Sequence, residues 1–308
     1  MFSPELVVKE VREFLSTRFG DVSRVEAIGT GEWSRAFSFR LLERDHVIRF
    51  GHFPEDYAKD RVAAGFAAPD LPIPPIQEIG EAFDTSYAIS PRAPGHGLDA
   101  LTEAEYRRVL PALLRSLDTL RLADVSGSTG YGIWRPDGSA PHSSWREALL
   151  DVENDRESER THGWRQRLAT VPTAVATFRE GLRLLRGLVE VCPEDRHVIH
   201  ADLMGDNVRV LDDRVTAIVD WANSMYGDFL YDLARLTFFA PWFPELHRLD
   251  LRALARAHYA SIGLEVPDFG KRLRCYEVHI GRDAQAYTAF THRRDELKSS
   301  GQRTRELA

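Results

Sequence analysis

At 308 residues, with 43% hydrophobic and 28% charged residues, the chain has the bulk for one large domain or two lobes and lacks the composition of a disordered or fibrous protein. Its 47 acidic against 40 basic residues leave a net charge of -7, which argues against a nucleic-acid partner and favours a cationic one. No apolar run approaches the roughly 18 residues that span a bilayer, the amino terminus MFSPELVVKEVREFL mixes charge into its apolar residues, and Cys192 and Cys275 lie far apart without a Cys-x-x-Cys partner. A cytoplasmic protein with structural thiols, no membrane or nucleic-acid partner, no disulfide framework and no zinc site is expected.

In chain order, Ser3 is placed to cap a first helix, with Pro4 at its first position, an apolar stripe of Leu6, Val7, Val11, Phe14 and Leu15, and Gly20 as the stop. From Val22 the period shortens, and 25–28, 36–41 and 47–50 read as three antiparallel strands. Between the first two lies Gly29-Thr30-Gly31-Glu32-Trp33-Ser34, where Gly29, Gly31 and Ser34 suit either a plain hairpin turn or close approach of backbone to phosphate. A helix follows over 55–67. Leu71-Pro72-Ile73-Pro74-Pro75 predicts an extended connector into strands near 76–79 and 87–90, and then the loop Pro91-Arg92-Ala93-Pro94-Gly95.

The remainder reads as mainly helical. Thr102, with Glu105 three residues on, caps a helix toward 122, and 126–138 is a glycine-rich loop. Amphipathic segments over 145–152 and 175–191 flank a charged run, 153–160, that suits a solvated face or loop. Helices are expected near 229–239, 246–262 and 269–290, with Gly263 as a stop, and a polar, frayed end from Thr291 onward.

The chemistry concentrates between His200 and Asp220. Val198-Ile199 reads as a short strand leading into His200-Ala201-Asp202, and Asp202 with Asn207 has the Asp-x-x-x-x-Asn spacing by which phosphoryl-transfer enzymes set a proton acceptor and a metal-binding amide on one loop. Residues 207–211 alternate toward a strand, Asp212-Asp213-Arg214 reads as a turn, and 215–219 is a second β-branched run. Folding that hairpin about Asp213 is expected to set Asp220 directly beside Asn207, about 5 Å away, close enough for both to hold magnesium ions on nucleotide phosphates. His200 is expected to be a buried, hydrogen-bonded support.

His-Ala-Asp-Leu-Met-Gly-Asp-Asn at 200–207, followed by Ile-Val-Asp-Trp at 218–221, resembles the aminoglycoside phosphotransferase family. Gly227-Asp228-Phe229-Leu230-Tyr231-Asp232-Leu233-Ala234 is similar to that family's Gly-Asp-x-x-x-Asp-Leu-Ala segment. The likeness extends through Gly31-Glu32-Trp33-Ser34-Arg35-Ala36-Phe37-Ser38-Phe39, Leu71-Pro72-Ile73-Pro74 and Phe239-Ala240-Pro241-Trp242, and covers most of the chain.

The resemblance implies an α+β, two-lobed, protein-kinase-like fold: a nucleotide-binding amino lobe (1–94) built on a small antiparallel sheet and a mainly helical catalytic lobe (95–308), with nucleotide in the cleft. It implies transfer of the γ-phosphoryl group of ATP, with GTP left open, to an alcohol of an aminoglycoside, by a monomer that confers antibiotic resistance. Asp202 would accept or orient the hydroxyl proton, and Asn207 and Asp220 would hold Mg2+. The Pro91 carbonyl and Ala93 amide would meet adenine. Arg49 would contact the phosphates and Asp60 would orient it. These two stand where kinases carry a lysine and a glutamate, so a longer cation is matched with a shorter anion. An acceptor with several ammonium groups calls for carboxylates and an aromatic wall, and Asp206, Asp228, Trp242, Glu277 and Asp283 are the candidates, each with an ordinary alternative as a helix cap, core residue or solvated side chain. Two other readings stay open: a kinase of another small alcohol, or a nucleotide-binding regulatory protein without transfer activity, suggested by the missing lysine and glutamate.

Overall fold

The structure, a computed structural model, describes residues 4–307. Contacts divide the chain into two compact units, each discontinuous in sequence: 1–100 with 204–223, and 101–203 with 224–308. A single cut after residue 94 would group the 208–218 hairpin with the helices, whereas by contacts it groups with the sheet-bearing unit.

In the first unit, helix α1 (Val8–Phe19) starts after Val7, whose N–H donates to the Glu10 carboxylate at 3.0 Å. The helix therefore begins later than expected: Pro4 precedes it, Val7 is exposed, and Ser3 lies outside the described residues. Strands β1 (Val22–Thr30), β2 (Ser34–Leu41), β3 (Arg44–Gly51), β4 (Glu78–Ala82) and β5 (Thr85–Pro91) form one antiparallel sheet in the order β1-β2-β3-β5-β4. Alternation puts Phe37 and Phe39 of β2, and Ile48 and Phe50 of β3, into a core with Tyr87, Ile89, and Leu6, Val11 and Leu15 from the α1 segment. Burying each such side chain is worth about 1.5–3 kcal/mol, which is what fastens α1 to the sheet.

Helix α2 (Pro54–Ala63) opens on Pro54 and passes into a 3-10 turn, Ala64–Phe66, where a longer α-helix was expected. The proline-rich connector is free of helix, as its prolines require, and buries Leu71 and Ile73. Its Pro72 carbonyl accepts the Ile218 N–H at 2.8 Å, which ties it to the hairpin of β6 (Val208–Leu211) and β7 (Arg214–Ile218). Val208, Val210, Ala217 and Ile218 are the buried hairpin residues, and His96–Gly97 adds a short third strand along β6.

In the second unit, α3 (Glu103–Arg121) carries the expected reciprocal cap. Thr102 N–H donates to the Glu105 carboxylate at 2.8 Å and Glu105 N–H to Thr102 Oγ1 at 3.4 Å. It is followed by α4 (Pro172–Leu188), α5 (Leu230–Phe239), α6 (Leu251–Ser261), α7 (Phe269–Phe290) and α8 (Arg294–Glu306). Three short strands, Gly132–Ile133, His197–Ile199 and Met225–Gly227, form a small sheet in this unit. Two expectations are corrected. The segment near 246–262 breaks into a turn of helix, Pro244–His247, and α6, because Asp250 caps a new start by accepting the Ala253 N–H at 2.9 Å. The polar end does not fray. It forms α8, whose buried face is Leu297, Ser300, Gly301 and Thr304. Small side chains let this helix pack closely: a Cβ on Gly281 would stand 2.1 Å from Thr304 Oγ1, and one on Gly301 2.7 Å from Thr177 Oγ1. Among the described residues, no helix is long and apolar enough to cross a membrane.

Behind α5, His279 of α7 is buried, with its Nδ1 2.9 Å from the Tyr231 hydroxyl. Burial pushes the imidazole down to about 3 and the phenol well above its ordinary value, so the phenol donates and the neutral ring accepts. A histidine depressed from about 6.5 when unfolded contributes stability that is complete above pH 6.5 and is lost as pH falls toward 3. Buried Asp232, pushed up to about 6 by burial, works in the opposite sense between pH 3.8 and 6, so the wild-type curve alone does not isolate the histidine. The difference between two proteins does. From pH 7 to 4.5 the wild type should lose about 2–3 kcal/mol more unfolding free energy than His279→Phe, measured by urea titration. Parallel losses would refute a neutral, buried His279.

Candidate active site

The nucleotide-side residues fall in the sheet-bearing unit. Arg49 stands on β3, the central strand of the five, and α2 presents Asp60 to it, so that the two form an ion pair with Asp60 only 5% exposed. The other Asp60 oxygen accepts the backbone N–H of Trp221 at 2.9 Å. Asp60 thus connects Arg49 to the residue directly after Asp220, whose carboxylate lies 3.9 Å from Arg49 Nη1. Burial opposes the charge on Arg49, but Asp60 and then Asp220 outweigh it, and the guanidinium, packed 5.3 Å over the Tyr57 ring, holds its proton more firmly than a free arginine. The neighbouring Lys59 donates to the Ala222 carbonyl at 2.7 Å. Consecutive side chains of α2 therefore fix the 220–222 backbone at two points.

The hairpin brings Asn207 and Asp220 to one end, with a shift from the expected register. Arg214 pairs with Leu211 and Val215 with Val210, but an irregularity at Thr216 moves the pairing so that Ile218 faces Val208. Val219 N–H then donates to the Asn207 carbonyl at 2.9 Å, so Val219, not Asp220, stands opposite Asn207. Asp220 follows with φ 66°, leaving the strand, and its side chain is 44% exposed. An amide oxygen and a carboxylate at one hairpin end are hard donors of the kind Mg2+ takes, usually together with water and phosphate oxygens.

Pro91 ends β5 and Ala93 lies two residues on. Arg92 N–H donates to the Asp45 carbonyl on the β3 side at 2.9 Å, and backbone groups alternate along an extended chain. The Pro91 carbonyl, across the same peptide bond, accordingly faces the other edge, past the point where β4 pairing stops at Glu78 and Ile89. Gly29 lies in β1, and Gly31 N–H donates to the Ser34 carbonyl at 2.9 Å to turn the chain into β2. A Cβ on Gly29 would meet nothing within 4 Å, so fold packing does not demand that glycine.

Residues 200–203, which include the expected proton acceptor Asp202, fall in the helical unit. Asp232, at the start of α5, accepts the N–H groups of His200 at 2.9 Å and Ala201 at 2.7 Å, and Ala201 takes φ 63°. Asp202 N–H donates to His200 Nδ1 at 3.2 Å, so the fully buried His200 carries its ring proton on Nε2 and has the supporting role expected of it. Asp202 itself is partly exposed and its Oδ1 accepts from Arg235 Nη2 at 2.5 Å.

The acceptor candidates separate. Glu277 is wholly buried, accepts the Thr237 hydroxyl at 2.7 Å and takes Arg252 on both oxygens. Asp228 is wholly buried, takes Arg272 at 2.8 and 2.9 Å, accepts the Tyr276 hydroxyl and caps the Leu230 N–H. Both are corrected to internal braces, because their oxygens are already occupied away from solvent. Asp206 stays exposed and pairs with Arg209 at 2.5 Å, in the other unit. Trp242 is 39% exposed and packs on Phe238 and Phe239. Asp283 is exposed, yet protein surrounds it closely enough that loss of solvation raises its carboxyl, with Arg235 pulling it down and Asp202 pushing it up. Sequence reading missed Arg235, Lys59 and the part of Asp232 in shaping the loop. The Gly-Asp-x-x-x-Asp-Leu-Ala segment was the available signal for Asp232, while Arg235 lies one residue past it.

Residues 24–265 match the sequence model of the phosphotransferase enzyme family, and the chain belongs to that family. It is a phosphotransferase with the α+β, kinase-like fold expected. The chain is 34% identical to hygromycin-B 4-O-kinase of Escherichia coli over 285 residues, 92% of this chain and 80% of that protein. It superposes on crystal structures of aminoglycoside phosphotransferase APH(4)-Ia with a TM-score of 0.83 at 30% identity over 98% of each chain. For a thermostable mutant of that enzyme in ternary complex with AMP-PNP and hygromycin B, the TM-score is 0.84 at 32% identity over 97% of each chain.

Proposed function

We propose that the protein transfers the γ-phosphoryl group of ATP to a hydroxyl of an aminoglycoside, hygromycin B, and acts as a monomer in the cytoplasm to protect the cell from that antibiotic. The acceptor oxygen bonds to the γ-phosphorus as the bond to the β,γ-bridging oxygen breaks, ADP leaves with that electron pair, and the hydroxyl proton passes to Asp202. The observation that carries this reading is Asp60, which holds Arg49 with one oxygen and the backbone beside Asp220 with the other. Phosphate-binding cation and metal-binding carboxylate are thereby set by one buried anchor.

Asn207 and Asp220 would hold magnesium, which would supply positive charge to offset the negative charge that develops during transfer. Arg49 meets the phosphates, the Gly29 to Ser34 turn covers them, and the Pro91 carbonyl and Ala93 amide receive adenine. Because the transition state is loose, alignment and charge neutralisation supply most of the acceleration. The missing lysine and glutamate give little support to a binding-only protein, since the Arg49–Asp60 pair is formed and buried. Asp283 and Trp242 are the acceptor-side residues that keep solvent access, and Asp206 offers a further exposed carboxylate.

Incubation with ATP, Mg2+ and hygromycin B should add one phosphoryl mass to the antibiotic, read by mass spectrometry. The KM for this polycation should rise with salt, since carboxylates that attract it are screened over a Debye length of about 8 Å at physiological ionic strength. Preference for an uncharged macrolide, or a salt-independent KM, would move the assignment to another alcohol.

A further inference from the structure

The Asp202 carboxylate is not left free: Arg235, on the exposed-to-buried margin of α5, donates from Nη2 to its Oδ1 at 2.5 Å. The guanidinium lies 5.0 Å over the Phe239 ring, its Nε is buried without a hydrogen-bond partner, and Asp202 and then Asp283 are the carboxylates that act on it. Such a side chain is expensive to keep for packing alone, because taking a guanidinium out of water costs several kcal/mol unless its partners compensate. Here the charged partner it hydrogen-bonds is Asp202, the residue read as proton acceptor.

We propose that Arg235 is a positioning residue for phosphoryl transfer: it clamps Oδ1 and thereby fixes the plane of the Asp202 carboxylate that receives the acceptor's proton. This rests on the reading of Asp202 given above. A rotamer held on one oxygen loses little freedom when the acceptor arrives, and misplacement of a reacting group by about 1 Å costs up to about 10²-fold in rate. Phe239 below the guanidinium and Asp283 nearby restrict it to this placement.

The test is a set of variants measured by steady-state and single-turnover kinetics with ATP, Mg2+ and hygromycin B. Arg235→Met should lower kcat by about 10- to 100-fold with the KM for ATP within about twofold of wild type. Arg235→Lys, which keeps the charge but not the planar fork, should recover part of that loss. In an Asp202→Asn background, Arg235→Met should cost less than about twofold more, because a clamp has nothing left to position. An unchanged kcat in Arg235→Met, or the same loss with and without Asp202, would overturn the proposal. If Arg235→Met does not fold, Arg235→Gln and Arg235→Lys carry the same cycle, with melting temperature recorded: a role confined to folding would move that temperature and leave kcat in place. Near-normal turnover by Asp202→Asn alone would instead sink the reading of Asp202, a distinguishable result.

Discussion

Asp202→Ala is expected to lower turnover by at least the 10²- to 10⁴-fold that general-base assistance contributes, while the affinity for ATP stays near wild type. The reason is the division of labour along the chain. Asp202 is held by His200 and Arg235 in the helical unit, whereas Arg49, Asp60, Asn207 and Asp220 belong to the sheet-bearing unit. Loss of a correctly oriented hydroxyl can add to the deficit. Nucleotide binding by fluorescence titration, single-turnover rates, and survival of cells on hygromycin B would be measured together. Near-normal turnover with the right acceptor would remove the central assignment.

Asp60→Ala should damage a different step. It leaves Arg49 in a largely buried site with only the more distant Asp220 as a carboxylate partner and removes the acceptor of the Trp221 N–H, and breaking one side of a buried pair costs up to about 3–5 kcal/mol. Part of that should appear as a melting temperature lower by several degrees, and part as a raised KM for nucleotide, since both Arg49 and the backbone next to Asp220 lose their anchor. Asp60→Asn should fall between, because an amide oxygen still accepts from Trp221 but no longer neutralises Arg49. The acceptor KM should change less than the nucleotide KM in both variants. A rise confined to the acceptor would show that the pair is misassigned.

One set of elements carries a signal that is wholly local. The period-2 runs of β2 and β3, the reciprocal Thr102 and Glu105 cap, the helix-free Leu71-Pro72-Ile73-Pro74 connector and the whole span of α7 follow from side-chain periodicity and backbone restriction, and the structure has them. The ion pair of Arg49 with Asp60 was legible only through the family resemblance, which sets a phosphate-binding cation and its carboxylate at these two positions.

Other features arise only from contacts between distant segments. The irregularity at Thr216 shifts one register step and puts Val219 opposite Asn207; no turn signal at Asp213 reports it, since the displacement arises within the paired strands. Asp228, just ahead of α5, and Glu277, on α7, are charged residues whose local pattern points to solvent or ligand. Burial with Arg272 and Arg252, 44 and 25 positions away, turns them into braces. Helix α8 was missed because its buried face is built of Ser300, Gly301 and Thr304, which pack through closeness and not through apolar bulk. Arg235 is the same case at the site itself: one arginine on a helix has no sequence signature, and its place on Asp202 exists because Asp232, one turn earlier, has already fastened the loop that carries Asp202 to the start of that helix.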